Sequence, residues 1–263
     1  MNAFLPPVFL SHGSPTFALE DRPVSRFWRS LPARLSGAPR AILCVSAHWC
    51  TRQPALAGGM DGPLELLHDF YGFPEPLYRL TWPVCGSAAL AGEIVEVLAA
   101  AGIAVVEQPQ RPLDHGVWVP LRAAWPEPPM PVLALSVCPQ RDGAWHLALG
   151  RALAPLAQRG IWVVGSGGLV HNLRRLDWGR QDEGAEPWAA EFFQAWRVAL
   201  AQGDLQTLCD PQRLPHGRVA AGDWEHYVPV LVALGAGSGA AAQWWHESWA
   251  YGCLDGSVLA FAG

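Results

Sequence analysis

Residues 43–50 read LCVSAHWC, an apolar run that closes with a histidine and a tryptophan before its last cysteine. The run predicts a strand buried on both faces, which is typical of a largely parallel sheet covered by helices. Turn residues or charged residues usually follow such a strand, so the presence of His48 at its end calls for an explanation. Taken alone, it is better explained as a core histidine than as a ligand. The question is whether other strands end in the same way.

Strands and helices alternate along the chain on both sides of this run. Strands are predicted at 8–11, 40–49, 103–107, 131–137 and 161–167, with two more in the closing segment 241–263. Helices are predicted at 22–35, 87–102, 117–125, 143–160, 187–203 and 224–236. The alternation predicts a single α/β domain over residues 1–263, with a largely parallel or mixed central sheet covered by helices on both faces. In such sheets, sites form at the carboxyl ends of the strands.

The composition narrows the class of protein. At 51% hydrophobic and 16% charged residues, the 263-residue chain can bury a sizeable core. The net charge of −5 and the lack of a basic run argue against nucleic acid or an anionic membrane as partner. No apolar run approaches the roughly 20 residues of a membrane span. Six scattered cysteines without a CxxC pair indicate reduced thiols in a cytoplasmic protein.

Histidines stand at or near the ends of several predicted strands. His12 follows the first strand, His48 ends the second, and His171 lies just past the glycine-rich exit of the strand at 161–167. His115 lies in a loop between a strand and a helix, and His226 lies near the start of the helix at 224–236. Imidazole is the commonest metal-ligand side chain, so their convergence predicts a metal site. His115 capping its helix and His226 facing solvent are the alternatives.

Two other features have plainer interpretations. The run GSGG at 165–168 is neither a dinucleotide fingerprint nor a P-loop, and we expect it to turn the backbone tightly and place His171. The remaining histidines, in polar or helical contexts, are expected to be ordinary surface or loop residues: His68, His146, His216 and His246. Residues 52–83 form a long Gly/Pro-rich section, with an aromatic core at 68–83 that indicates an ordered functional loop.

Six segments, in this order, resemble the class III extradiol ring-cleaving dioxygenases. The segments are PVFLSHGSPTFALE (7–20), ILCVSAHW (42–49), HDFYGFPEPLYRLTWP (68–83), LDHGVWVPLRAAWP (113–126), VVGSGGLVHNLR (163–174) and EHYVPVLVALGA (225–236). The resemblance is to the DOPA 4,5-dioxygenase subfamily, related to the catalytic subunit of protocatechuate 4,5-dioxygenase. It runs from about residue 6 to the C-terminus, and six motifs in order are far more specific than one.

The resemblance implies one divalent metal per chain, held by His12, His48 and His226. His171 matches an active-site histidine that is an acid–base residue in some members and a fourth zinc ligand in others. His115 is then a catalytic histidine that either faces the substrate or supports the ligands from behind. The implied reaction opens a catechol ring with O2 to a muconic semialdehyde, with Fe(II) for turnover and Zn(II) often present on isolation. The small catechol and O2 are the implied partners.

The chain departs from the family pattern at one place. Members commonly carry His-Pro-Thr before the EHY-like motif, whereas Ala221, Gly222 and Asp223 stand here. A polar neighbour of the site is lost, a carboxylate is introduced, and His216 upstream is a candidate replacement. The departure bears on substrate preference and on activity itself.

Side chains beyond the histidines also have candidate roles. The aromatic residues of segment 68–83 are expected to wall the pocket, unless they pack as a plain apolar loop: Phe70, Tyr71, Phe73 and Tyr78. Arg79 and Arg122 are candidates to meet a substrate carboxylate, with ordinary surface arginines as the alternative.

Two other functions are compatible with the sequence alone. A zinc hydrolase would use the same histidines to activate water and would need a carboxylate base, for which Asp223 or Glu225 is available. The altered segment before His226 also leaves room for a catalytically inactive relative that holds a metal or a partner.

Overall fold

An eight-stranded mixed sheet runs through the computed structural model, which describes residues 5–182, 184–222, 224–237 and 242–262. The strands are β1 Val8–Ser11, β2 Ala41–Cys50, β3 Ala55–Ala57, β4 Gly62–Pro63, β5 Cys85–Gly86, β6 Val106–Gln108, β7 Val132–Val137, β8 Ile161–Gly167, β9 Ala242–His246, β10 Trp249–Ala250, β11 Leu254–Asp255 and β12 Val258–Phe261. The helices are α1 Pro23–Ser30, α2 Glu75–Tyr78, α3 Ala88–Ala100, α4 His115–Ala124, α5 Gly143–Leu153, α6 Pro187–Ala201, α7 Leu205–Leu208, α8 Gly217–Ala220 and α9 Trp224–Ala236.

The centre of the sheet is parallel and its edges are not. The strand order is β6-β3-β7-β2-β8-β1-β12-β9, and β7, β2, β8 and β1 run parallel to one another. β12 and β9 extend one side in antiparallel fashion, and β3 is antiparallel to β7 on the other side. The carboxyl ends of the four parallel strands therefore meet along one edge of the sheet.

Side-chain alternation along β2 divides the core between two helical layers. Ile42 and Cys44 belong to the cluster that includes α1 and α4, whereas Leu43 and Val45 belong to the cluster that includes α3, α5 and α9. Because successive side chains of a strand point to opposite faces, a continuous apolar run buries both faces at once. A third cluster joins α6 to the outer side of α9.

The predicted α/β class and the mixed sheet covered by helices are confirmed. Strands at 8–11 and 161–167 and the helix at 224–236 have the predicted bounds. The prediction for residues 52–83 was wrong in one respect, because β3 lies within them and joins the main sheet. Three small apolar residues between Pro54 and Gly58 are too short a run to show strand periodicity. Within the described residues, no helix is long and apolar enough to cross a bilayer.

Candidate metal centre and active-site cavity

Three histidines from three separate elements bring their Nε2 atoms together at the carboxyl edge of the sheet. His12 directly follows β1, and His226 is the third residue of α9. His48 lies inside β2, within the irregular stretch between Ser46 and Cys50 where the register with β7 shifts. It is therefore part of the strand. The Nε2 atoms of His12 and His48 are 3.0 Å apart, and those of His226 and His48 are 3.2 Å apart.

The separations and the hydrogen bonds of these rings fit a single metal ion. Two nitrogens that each lie about 2.1 Å from one ion, at a right angle, are about 3 Å apart. Ser166 Oγ donates to the Gly116 carbonyl oxygen (2.5 Å), so it accepts from His12 Nδ1 (3.0 Å). The Nδ1 of His12 therefore carries the proton, and its Nε2 lone pair faces the other two rings. The Nδ1 of His226 lies 3.5 Å from Glu225 Oε1 and has no hydrogen-bond partner among the described residues, so no hydrogen bond draws this ring away from the centre.

Burial keeps the three rings neutral, as metal ligands must be. Removal from water lowers the pKa of His12 and of His226 well below the usual value, and the neighbouring histidines lower it further. Burial likewise lowers the pKa of His48, with His115 adding to the effect and Asp69 opposing it. Three neutral imidazoles can then offer their lone pairs without first losing a proton.

Asp69 ties two histidines together and was not anticipated from the sequence. Its Oδ1 accepts from the backbone N–H of His115 (3.0 Å) and from His115 Nδ1 (2.9 Å), while Oδ2 lies 3.5 Å from His48 Nδ1. Burial alone would raise the pKa of Asp69, but the hydrogen bond from His115 and the electrostatic interaction with His115 and His48 lower it to about 2. The carboxylate therefore keeps a hydrogen on Nδ1 of His115 and lies within ion-pair distance of Nδ1 of His48.

A second buried carboxylate, Asp114, holds the backbone of His48. The His48 N–H donates to Ser46 Oγ (3.2 Å), Ser46 Oγ donates to Asp114 Oδ1 (2.5 Å), and Arg111 Nη2 donates to Asp114 Oδ2 (3.2 Å). Burial raises the pKa of Asp114, and the hydrogen bond from Ser46 and the charge of Arg111 oppose that rise. The strand end that bears His48 is thus anchored to the first turn of α4.

A third buried carboxylate, Asp255, links the chain next to His12 with the chain next to His171. Its Oδ2 accepts from Ser11 Oγ (2.6 Å), and its Oδ1 accepts from the backbone N–H of Val170 (2.9 Å). Burial raises the pKa of Asp255, and these hydrogen bonds oppose the rise. Asp255 lies in a segment rich in tryptophan and glycine, where no sequence signal marks it.

His171 faces the cavity but takes a different position from the other three rings. Its ring stacks on that of His226, with centroids 3.6 Å apart and planes 5° apart, and its backbone N–H donates to the Ala220 carbonyl oxygen (2.9 Å). Among the described residues, the candidate metal groups are His12 with His48 and His226, and His48 with Asp69 and His115. Whether His171 is a ligand or an acid–base residue stays a prediction.

The glycines of β8 set the distance between the sheet and α9. A Cβ on Gly167 would lie 2.1 Å from the His226 carbonyl oxygen, and one on Gly165 would lie 2.3 Å from that of Pro229. Gly168 N–H in turn donates to the His226 carbonyl oxygen (2.8 Å). These glycines therefore bring the helix with His226 close to the strand, rather than making the tight turn expected from GSGG.

The histidines open into a mostly apolar cavity of about 390 Å³. Its lining consists of Gly13, Ser14, Pro15, His48, Asp69, Phe70, Tyr71, Phe73, His115, His171, Leu173, Leu176, Trp178, His226 and Leu254. Three of the four aromatic residues expected to wall it do so, whereas Tyr78 packs behind Phe70 with ring centroids 5.2 Å apart. Arg79 pairs with Glu75, and Arg122 donates to the Thr81 carbonyl oxygen, so both arginines lie outside the lining.

Other candidates also lie away from the cavity. His216 pairs with Glu191 on the surface (2.9 Å) and does not replace the missing histidine. Ala221 and Gly222 line a separate cleft of about 830 Å³, and Asp223 lies outside the described residues. Glu225 does not line the histidine cavity, so the base that the hydrolase hypothesis requires is not supplied by it.

One histidine that was expected at the surface is fully buried. His146 donates from Nδ1 to the Asp142 carbonyl oxygen (2.9 Å) and accepts at Nε2 from Cys138 N–H (3.3 Å). Burial lowers its pKa to about 4. It is a structural histidine that joins the first turn of α5 to the end of β7.

Comparisons with known proteins agree with this geometry. The protein-family model described as the catalytic LigB subunit of aromatic ring-opening dioxygenase matches residues 6–262 of this chain. The chain is 36% identical over 258 residues to a 4,5-DOPA dioxygenase extradiol of Beta vulgaris, covering 96% of this chain and 93% of that one. It is 38% identical over 241 residues to the Escherichia coli K12 protein of the same name, covering 89% and 86%. The crystal structure of an uncharacterized Escherichia coli K12 protein superposes with a TM-score of 0.82 at 32% identity, covering 98% of this chain and all of that one.

Proposed function

The chain belongs to the family of the catalytic LigB subunit of aromatic ring-opening dioxygenase, and on that premise we propose that this extradiol dioxygenase opens a catechol ring. The bond that breaks lies next to the two hydroxyl carbons, both atoms of O2 enter the product, and the product is a muconic semialdehyde. One observation supports the proposal above all. At the base of an apolar cavity, Nε2 of His48 lies 3.0 Å from Nε2 of His12 and 3.2 Å from Nε2 of His226.

One divalent metal, held by His12, His48 and His226, completes the proposed site. Fe(II) is the metal proposed for turnover, and Zn(II) for the protein as isolated. A bound metal would supply a Lewis acid that binds the catechol oxygens and O2. Three neutral ligands leave more positive charge there than two histidines and a carboxylate would, which favours an anionic catecholate.

His171 and His115 are proposed to handle protons. Imidazole can accept and release a proton near neutral pH, so His171 is placed in the role of base for a substrate hydroxyl and of acid later in the reaction. His115 keeps its Nδ1 hydrogen on Asp69, which leaves the Nε2 lone pair free to accept a hydrogen bond from a substrate hydroxyl. Asp69 therefore orients His115 without contacting the substrate.

The aromatic wall of the cavity is proposed to hold the catechol ring and exclude water. Phe70 and Phe73 line the cavity with ring centroids 5.6 Å apart and nearly perpendicular planes. Phe70 also lies edge-to-face with His115 at 5.6 Å. An apolar slot of this kind suits a flat ring and leaves the histidines as its polar contacts.

The wider organisation is proposed on the same grounds. The family match over residues 6–262 supports one catalytic domain over residues 1–263. Six unpaired cysteines are consistent with the proposed cytoplasmic location. The proposed partners are a small catechol and O2.

Oxygen uptake tests the proposed function. The protein is reconstituted with Fe(II) under anaerobic conditions, metal content is measured, and O2 consumption is followed with catechol, L-DOPA and other substituted catechols. We expect O2 uptake together with a yellow ring-opened product, and loss of both in His48→Ala. Metal-loaded protein that consumes no O2 with any catechol would overturn the proposal.

A further inference from the structure

The mouth of the active-site cavity concentrates exposed apolar side chains. Eight large hydrophobic residues of the described chain are exposed beyond about a third of their surface, and three of them line this one cavity. These three are Tyr71 (93% exposed), Leu173 (58%) and Trp178 (57%). Exposed apolar residues are ordinarily scattered, and a group of them beside a pocket marks a binding surface. We call these three residues the rim.

One residue of the rim, Trp178, is supported by packing and charge pairs behind it. The ring of Trp178 packs on Tyr251 with centroids 4.7 Å apart. Arg22 donates to the Tyr251 hydroxyl oxygen (2.9 Å) and also pairs with Glu20 (2.6 Å) and Asp182 (3.1 Å). Tyr251, fixed by Arg22, therefore supports the ring of Trp178 at a position where the ring is largely exposed to solvent.

Positive charge is missing from the described lining of the cavity. All 18 basic residues of the chain are arginines, and none of them lines the cavity among the described residues. Two arginines near the rim are engaged elsewhere, since Arg175 lies over the Trp188 ring at 5.4 Å and Arg180 pairs with Glu186. Arg174, next to Leu173, is exposed and lies outside the lining. Among the described residues of the lining, the one carboxylate is that of Asp69, which is bound to His115. A substrate carboxylate entering here would lose hydration without gaining a cation.

We propose that the cavity selects catechols whose ring carries an uncharged apolar substituent, above all an aromatic one, which rests against Tyr71, Leu173 and Trp178. The inference rests on the proposed function, because it assumes that the catechol hydroxyls lie at the histidines. With the diol fixed there, a substituent on the far side of the ring points to the mouth. Aromatic side chains at the mouth then bury its surface by stacking.

Matched substrates test the proposal. We expect kcat/KM for 4-phenylcatechol to exceed that for 3,4-dihydroxyphenylacetate by about tenfold or more, with unsubstituted catechol as reference. In Trp178→Ala and in Tyr71→Ala, the loss for 4-phenylcatechol should exceed the loss for catechol by about tenfold. Val198→Ala is the control, since Val198 is an exposed apolar residue (45%) of α6 outside the cavity. That variant should change none of these ratios.

The outcomes separate failure of this inference from failure of the proposed function. Turnover of catechol with equal or better use of the carboxylate substrate overturns the inference alone. If Arg174→Gln then removes that preference, the exposed arginine next to Leu173 is an anion site, and the rim is not selective for apolar groups. Lack of O2 uptake with every catechol overturns the function. Anaerobic calorimetric titration with the two probes still tests the rim in that case, and tighter binding of the carboxylate probe overturns the inference.

Discussion

Two parts of one cavity, a floor formed by His12, His48 and His115 and the rim at its mouth, are held in place in different ways. At the floor, His12, His48 and His115 are each held through hydrogen bonds that lead to Ser166 or to buried carboxylates. At the rim, Trp178 packs on Tyr251, and both Trp178 and Tyr71 are largely open to solvent. Hydrogen bonds in a water-poor site fix angles, whereas packing tolerates small displacements. The floor is therefore suited to fixed chemistry, and the rim to a choice among substrates.

The largest effect is expected when a histidine ring is removed from the floor. His48→Ala should lower metal affinity by more than the roughly 100-fold that loss of an outer hydrogen-bond partner costs, because one of three ligands is gone. Metal content after gel filtration measures the effect, and circular dichroism should show the fold retained. His216→Ala, on the surface, is the matched control and should keep its metal.

His171→Ala makes the same test more specific. If His171 moves protons, this variant should lose turnover while retaining most of its metal. Metal loss equal to that of His48→Ala would identify His171 as a ligand.

An intermediate effect is expected when the support of the floor is weakened. Asp69→Asn removes the charge that holds the Nδ1 hydrogens of His115 and His48, so kcat/KM should fall about 10- to 100-fold. Because the pKa of Asp69 is lowered to about 2, its stabilising contribution is present above about pH 4 and is lost as pH falls toward 2. The variant should therefore differ from the parent by a constant factor between pH 5 and 8.

Asp21→Asn is the control for that experiment, since Asp21 is an exposed carboxylate paired with Arg26. It should leave the pH profile and kcat/KM unchanged. A loss in Asp69→Asn that grows steeply from pH 5 to 8 would contradict the assignment, because an already ionised Asp69 cannot produce it.

The smallest effect is expected at the rim. Trp178→Ala should leave metal content unchanged and lower the free energy of unfolding by no more than about 1 kcal/mol, because the ring is more than half exposed. Trp118→Ala, which removes a fully buried ring next to the floor, should cost about 3–5 kcal/mol. Urea unfolding of the two variants measures both values. Metal loss in Trp178→Ala would show instead that metal binding at the floor depends on the rim.

Residues with a periodic pattern or a fixed place in a strand were predictable from the sequence. The continuous apolar run before His48 predicted a doubly covered strand, and His12 follows a run of the same kind. His226 was harder, since helical periodicity places it on α9 but does not say that α9 lies against β8. The glycines that permit that contact, Gly165 and Gly167, are interpretable only when the opposing backbone is known.

The carboxylates could not be found in the same way. Asp69 and Asp255 act across long stretches of chain, and an isolated aspartate in a loop looks the same whether it caps a turn or holds a histidine. His146 shows the converse error, because it lies one turn after the polar residues Arg141 and Asp142, and its burial follows from tertiary contacts such as the packing of α5 on α9. Burial of a polar residue is a property of the tertiary contacts.

The separation of the three candidate ligands along the chain has a consequence for unfolding. His12 and His48 are 36 positions apart, and His48 and His226 are 178 positions apart. An ion shared by them closes two long loops at once and so acts as a removable cross-link between β1, β2 and α9. Free metal at 100 times its dissociation constant adds about 2.7 kcal/mol to the stability of the folded chain. Metal supply would therefore set how long each molecule survives as well as whether it turns over.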